Sequence, residues 1–149
     1  MKETFQEAVE WALDKEKEWA VDKGGGRTIF GITENFYPID FQKLFAMTTT
    51  EERRAYASEF YYREIWLRFG CDSLPYPMDI VVFDCAINPG PGVARRIVSQ
   101  GLSWSQAILE RQRYYWKKNN PEMIDGPFEA GWINRTLLLY EEITRRLKP

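Results

Sequence analysis

The chain has no histidine among its 149 residues. That excludes Ser-His-Asp and Cys-His nucleophile systems, histidine zinc sites and histidine general bases. Acid–base chemistry must then rest on Asp, Glu, Lys, Tyr or Cys. There are only two cysteines, Cys71 and Cys85, too few for a disulfide framework or a zinc ribbon. Two buried thiols in a reducing compartment are expected, with a single bridge between them the alternative. No apolar run approaches the roughly 20 residues of a membrane span. The opening "MKETFQEAVEW" is too acidic for a signal peptide, so synthesis in the cytoplasm is expected. No dense basic run is present either, and nucleic acid is not an expected partner.

What is present is an unusual weight of rings. Aromatics make up 15% of the chain, with six Trp, eight Tyr and nine Phe. They serve either a thick core or a groove for a flat-faced ligand such as a sugar or a base. The net charge of −2 divides unevenly. Residues 1–84 carry a net −6 and residues 85–149 a net +4, so a mildly basic C-terminal half faces outward to an anionic polymer or simply to water. Among its cations, Arg95, Arg96, Arg111 and Arg113 would attract an anionic polymer or form a solvated helix face.

The pattern is mostly helical. Phe5, Ala8, Val9, Ala12 and Leu13 recur on one face, predicting a helix over 4–19. Glycines 24–26 end regular structure, and "RTIFGIT" at 27–33 is short enough for a loop or small β element. A short helix is expected at 39–46. Thr49 or Thr50 followed by Glu51 and Glu52 then caps a helix running to Phe69. "MDIVVFDCAI" from Met78 is apolar enough for a buried helix or a strand, and periodicity alone does not separate them. "NPGPG" at 88–92 is the natural regional boundary. Helices follow at 91–100, 103–119 and 127–147, the second closed by "NNP".

The glycine triplet poses the functional question. A phosphate loop needs Lys-Ser/Thr after its glycines and a strand before them, and neither is found. A turn shaping a polar site remains. At about 100° per residue, Glu16 falls within roughly 20° of Phe5, on the inward stripe of the first helix. An acid there is costly unless paired or functional, and the readings are a helix-end Glu half out in solvent or paired with Arg27, or a general acid. Asp22 and Thr28 follow at six-residue steps, and the glycines allow the backbone to fold Thr28 back towards Glu16.

Glu16 followed by "DKGGGRTIFGIT" resembles the N-terminal signature of glycoside hydrolase family 108. So do "YYREIW" ending at Trp66, "DSLP" at Asp72–Pro75, "VFDCAINPGPGVARRIVSQ" at Val82–Gln100 and "GWINR" at Gly131–Arg135. The Val82–Gln100 stretch resembles the start of the peptidoglycan-binding region that follows the family's catalytic region. The resemblance implies a mainly α, lysozyme-like fold, with a catalytic region at 1–84 and a C-terminal helical region at 85–149 packed as one globular unit. It implies a phage-type or bacterial muramidase acting on peptidoglycan glycan strands, expected as a monomer without cofactor or metal, whether a prophage or secretion-linked lysozyme or a phage endolysin. Such an enzyme would be made in the host cytoplasm and released through a holin. By the same resemblance Glu16, Asp22 and Thr28 are the catalytic set. Trp19, Phe30, Gly31, Tyr37, Trp66 and Asn88 are candidates to line the sugar cleft, core packing being the equal reading for the four rings and helix capping the rival role for Asn88. Lys17 and Glu18 depart from the family's Gly-Gly, and they make Glu18 a rival acid. A non-catalytic wall-binding or virion structural module is the alternative function.

Overall fold

The computed structural model describes residues 3–22, 24, 26–118 and 127–147. Gly25 and the "NNP" stop at 119–121 lie outside them. The described elements are those of the mainly α, lysozyme-like class expected: seven α-helices and one three-stranded sheet. The chain divides into two compact units, Met1–Arg68 and Phe69–Pro149.

In the first unit, α1 (Glu3–Lys15) buries Phe5, Ala8, Val9, Ala12 and Leu13, the stripe its periodicity predicts. The helix stops short of residue 19. Trp19–Asp22 instead forms β1, antiparallel to β2 (Gly26–Ile29), which in turn pairs with β3 (Ile32–Thr33). The β element is therefore larger than residues 27–33. The backbone of 19–22 finds its hydrogen-bond partners across the hairpin, and that competes successfully with one more helical turn.

Helix α2 (Pro38–Ala46) starts on a proline whose missing N–H is no loss at that position. Helix α3 (Thr50–Tyr61) begins with a reciprocal cap. The Thr49 hydroxyl accepts from the Glu52 N–H, and the Glu52 carboxylate accepts from the Thr49 N–H. The helix continues as a π-helical turn, Tyr62–Leu67. That turn carries Trp66 into the core, edge-on to Phe5 with ring centroids 5.2 Å apart. Phe41, Leu44, Ile29 and Ile32 complete a core in which each large side chain contributes about 1.5–3 kcal/mol by leaving water.

The second unit opens with a 3₁₀ turn at Cys71–Ser73 and continues into α4 (Met78–Ile87). Nearly every residue of α4 is buried, which explains why its sequence has no polar face. Helix α5 (Pro91–Ser99) packs closely on α4. This packing is why the unit boundary falls at Arg68/Phe69, upstream of 84/85. The "NPGPG" segment is an internal turn between two helices of one core. Helices α6 (Trp104–Lys118) and α7 (Pro127–Leu147) lie within a residue of their expected bounds. Among the described residues no helix is long and apolar enough to cross a membrane.

Candidate active site

The first unit concentrates the chemistry around the end of α1. Glu16 follows the last helical residue, but its N–H still donates to the Ala12 carbonyl at 3.0 Å. Its side chain therefore leaves the helix in the direction the periodicity predicts, and it is half-buried.

Against it sits the β2–β3 turn. Ile29 pairs with Ile32, leaving a two-residue loop of Phe30 (φ 48°) and Gly31 (φ 77°). Positive φ at both positions is the turn geometry whose twist matches antiparallel strands. The Phe30 N–H donates to the carbonyls of Lys17 and Glu18, both at 3.1 Å, tying the turn to the segment leaving α1. The Phe30 carbonyl accepts the Tyr61 hydroxyl at 2.7 Å. A Cβ built on Gly31 would lie 2.7 Å from that hydroxyl and 3.0 Å from Glu16 Oε2. Only glycine fits, for both conformation and space.

The hairpin register places the other two candidates. Thr28 is opposite Ala20, and Asp22 is opposite Gly26. Directly opposed residues share a face and successive residues alternate. Asp22 and Thr28 therefore lie on one face as diagonal neighbours, with Cα atoms about 7–8 Å apart or somewhat less between Cβ atoms. Thr28 is buried and Asp22 exposed. Trp19, at the Gly31 end of β1, is separated from Asp22 by three residues, about 10 Å of strand.

The neighbouring carboxylates are occupied. Glu18 pairs with Arg53 at 2.8 Å and accepts from the Thr50 hydroxyl at 3.0 and 3.1 Å. Arg27 pairs with Glu34 at 2.9 Å. Its side-chain and backbone hydrogen bonds hold the Glu34 carboxyl below its usual range. The ion pair between Glu16 and Arg27 that the sequence left open is thereby replaced by one with Glu34.

Of the ring candidates, Trp19 is 46% exposed, edge-on to the half-exposed Phe45 at 6.0 Å and under the Arg53 guanidinium at 5.0 Å. Trp66 and Phe30 are core residues, 0% and 4% exposed. An enclosed ring has no face left for a sugar, so both are corrected as cleft walls. Tyr37 is half-buried, edge-on to Phe60 at 4.8 Å. Phe45, Arg53 and Tyr61 are residues that sequence reasoning missed. Phe45 and Tyr61 show only apolar spacing along α2 and α3 and Arg53 only a charge, none of which says what they meet across the fold.

Asn88 belongs to the second unit. Its N–H caps α4 through the Asp84 carbonyl at 2.9 Å, and its side-chain oxygen accepts the Tyr115 hydroxyl at 2.7 Å. Tyr115 is in turn stacked on Trp132 and accepts from Arg111 Nε at 3.2 Å. Arg111 is wholly buried and reaches Asp84 at 2.6 Å, while Arg135 reaches the same carboxylate at 2.7 Å. Arg111 is thus an interior structural cation, neither a wall-attracting group nor part of a solvated face. Burial pushes the Asp84 carboxyl up, but the Arg135 and Arg111 charges outweigh it and hold the pKa at about 2. Arg95 lies over the Phe69 ring, and Arg113 pairs with Glu110. Cys71 and Cys85 are buried thiols that form no disulfide, and burial pushes the Cys85 thiol up to about 12. Such thiols are chemically quiet. Among the described residues no group of three or more His, Cys, Asp or Glu is placed to hold a metal ion.

Just past the end of α1, the half-buried Glu16 carboxyl is walled by a glycine turn. The glycosyl hydrolase 108 family model matches residues 10–90, more than half of the chain. The protein belongs to that family and is a glycoside hydrolase. The match covers all the candidate site residues, while α5, α6 and α7 lie beyond it. Comparison with curated proteins and with solved structures returned no match.

Proposed function

We propose that this glycoside hydrolase is a muramidase, cleaving the β-1,4 bond between N-acetylmuramic acid and N-acetylglucosamine in peptidoglycan. The observation that carries the reading is the Glu16 carboxyl held against Gly31 in a chain of this family. Glu16 is the general acid. It gives its proton to the glycosidic oxygen as the bond to the anomeric carbon breaks. A water enters from the opposite side, its oxygen bonding to that carbon and its proton passing to Asp22. Thr28, on the same sheet face as Asp22, orients the water through its hydroxyl. This is single displacement with inversion, which requires the two carboxyls to stand about 6.5–9.5 Å apart. Trp19 offers its exposed ring to a sugar face beside the site. The same reading makes the protein a monomeric endolysin that reaches the wall after release from the cytoplasm through a holin. The region from 85 onward adds wall binding.

The test is clearing of purified peptidoglycan by wild type, Glu16→Gln and Glu18→Gln, with mass spectrometry of products and NMR of the new anomeric centre. Glu16→Gln should abolish clearing in a folded protein, Glu18→Gln should retain it, and the first-formed product should be the inverted anomer with reducing N-acetylmuramic ends. Retained configuration would replace the water mechanism by a covalent one. A folded wild type that pellets with the wall but releases no reducing ends would make the protein a binding module.

A further inference from the structure

We propose that Arg53 positions the Trp19 ring, and that the ring serves a sugar away from the cleaved bond. The enzyme thereby favours long glycan strands. This deepens the muramidase reading above and rests on it.

Strand alternation separates the ring from the chemistry. Asp22 and Thr28 lie on one face of the sheet, while Trp19, opposite Ile29, and Val21, opposite Arg27, lie on the other. That second face is the one turned to α2, where the Arg27 guanidinium lies 5.3 Å over Phe41 and 5.4 Å over Phe45. A sugar stacked on Trp19 is therefore not the sugar attacked beside Asp22 and Thr28, but one further along the glycan. In the strand order β1-β2-β3, β1 is an edge. A glycan can pass round that edge without crossing another strand.

The ring is held as a platform. The Arg53 guanidinium lies 5.0 Å from the Trp19 centroid and Phe45 meets the ring edge at 6.0 Å, yet Trp19 stays 46% exposed. The Arg53 side chain is only 13% exposed, so it backs the ring from within and leaves the outer face open. An open indole face suits the C–H face of a sugar. Arg53 is itself tied at both tips of its fork: Nη1 donates to Glu18 at 2.8 Å and Nη2 to the Met47 carbonyl at 2.6 Å. Glu18 also accepts the Thr50 hydroxyl, which anchors the residue beside Trp19 to the first turn of α3. Glycine at position 18 would supply no such anchor, and the departure from the family's Gly-Gly thereby gains a use. Glu18→Gln keeps an oxygen acceptor for both donors, in line with the clearing expected of it above. A ring fixed beforehand loses little side-chain freedom when a sugar arrives.

Chain length separates this role from simple packing. Rates are measured on peptide-free muramyl oligosaccharides, from the shortest that is cleaved to long glycan fragments. On the long fragments Arg53→Met should raise KM about two- to tenfold, the cost of ordering one side chain. Trp19→Ala should raise it at least as much, with kcat unchanged in both. On the shortest oligosaccharide both variants should match wild type. The double variant should be no worse than Trp19→Ala, because Arg53 acts only through the ring. Arg53→Lys keeps the charge and loses the planar fork. It should fall between wild type and Arg53→Met, and it carries the comparison if Arg53→Met does not fold. Additive effects in the double variant, or a kcat loss in the Arg53 variants, would overturn the positioning role. An equal rise at every length, or none in Trp19→Ala, would overturn the remote subsite. A folded wild type that cleaves no oligosaccharide of any length would instead overturn the muramidase reading.

Discussion

Gly31 faces Glu16 so closely that a Cβ on the glycine would sit 3.0 Å from the carboxyl oxygen and 2.7 Å from the Tyr61 hydroxyl. The contact joins the end of a helix to the tip of a hairpin, and it makes the turn a wall of the site.

Gly31→Ala tests that wall. The added methyl meets two oxygens at a backbone angle of φ 77° that alanine disfavours. A cost of about 1–3 kcal/mol is expected from strain at such a position. Clearing of peptidoglycan should fall by more than the change in folded fraction accounts for, because the methyl displaces the carboxyl itself. Thermal unfolding and clearing rates of the same preparation check both effects.

The two tryptophans assigned to the cleft from sequence should behave oppositely. Trp66 is fully buried against Phe5, so Trp66→Ala should cost about 3–5 kcal/mol in denaturant unfolding. Trp19 is nearly half exposed, and Trp19→Ala should leave the midpoint within about 1 kcal/mol of wild type. It should instead raise KM on soluble glycan fragments. A Trp19 variant with unchanged KM would remove that ring from substrate binding.

Asp84 carries a stability that depends on pH. Its folded pKa of about 2 lies below the ordinary 3.8, so the folded state favours the carboxylate. That contribution, about 2 kcal/mol, is complete above the unfolded value and is lost as pH falls from near 4 through about 2. Asp84→Asn leaves Arg111 and Arg135 without their counter-charge, and should cost about 3–5 kcal/mol at neutral pH. Unfolding of both proteins between pH 7 and 2 should show the gap narrowing at the acid end. A constant gap would mean that the ion pairs contribute through packing alone.

Much of the helical frame was legible in local pattern. The α1 stripe, the Thr49–Glu52 cap and the bounds of α5, α6 and α7 all depend on neighbours three or four residues away, which a sequence displays directly. The first helix was carried on to residue 19, and the strand at 19–22 was missed, because its partners lie further along the chain, at 26–29. Trp66 and Phe30 were left open between ligand wall and core for a similar reason. A large ring carries the same local signal whether it faces a sugar or Phe5.

The amino-acid sequence by itself determined the family, the absence of histidine chemistry and the placing of an acid on the inward face of the first helix. It did so because composition, motif order and a 3.6-residue period are properties of the chain alone. Tertiary structure decided which carboxylates are engaged elsewhere: Glu18 by Arg53, Glu34 by Arg27 and Asp84 by two arginines. It also decided that Gly31 and Tyr61 meet at Glu16. A carboxylate's chemistry is set by the charges, donors and acceptors within a few ångströms of it, and those come from segments that only folding brings together.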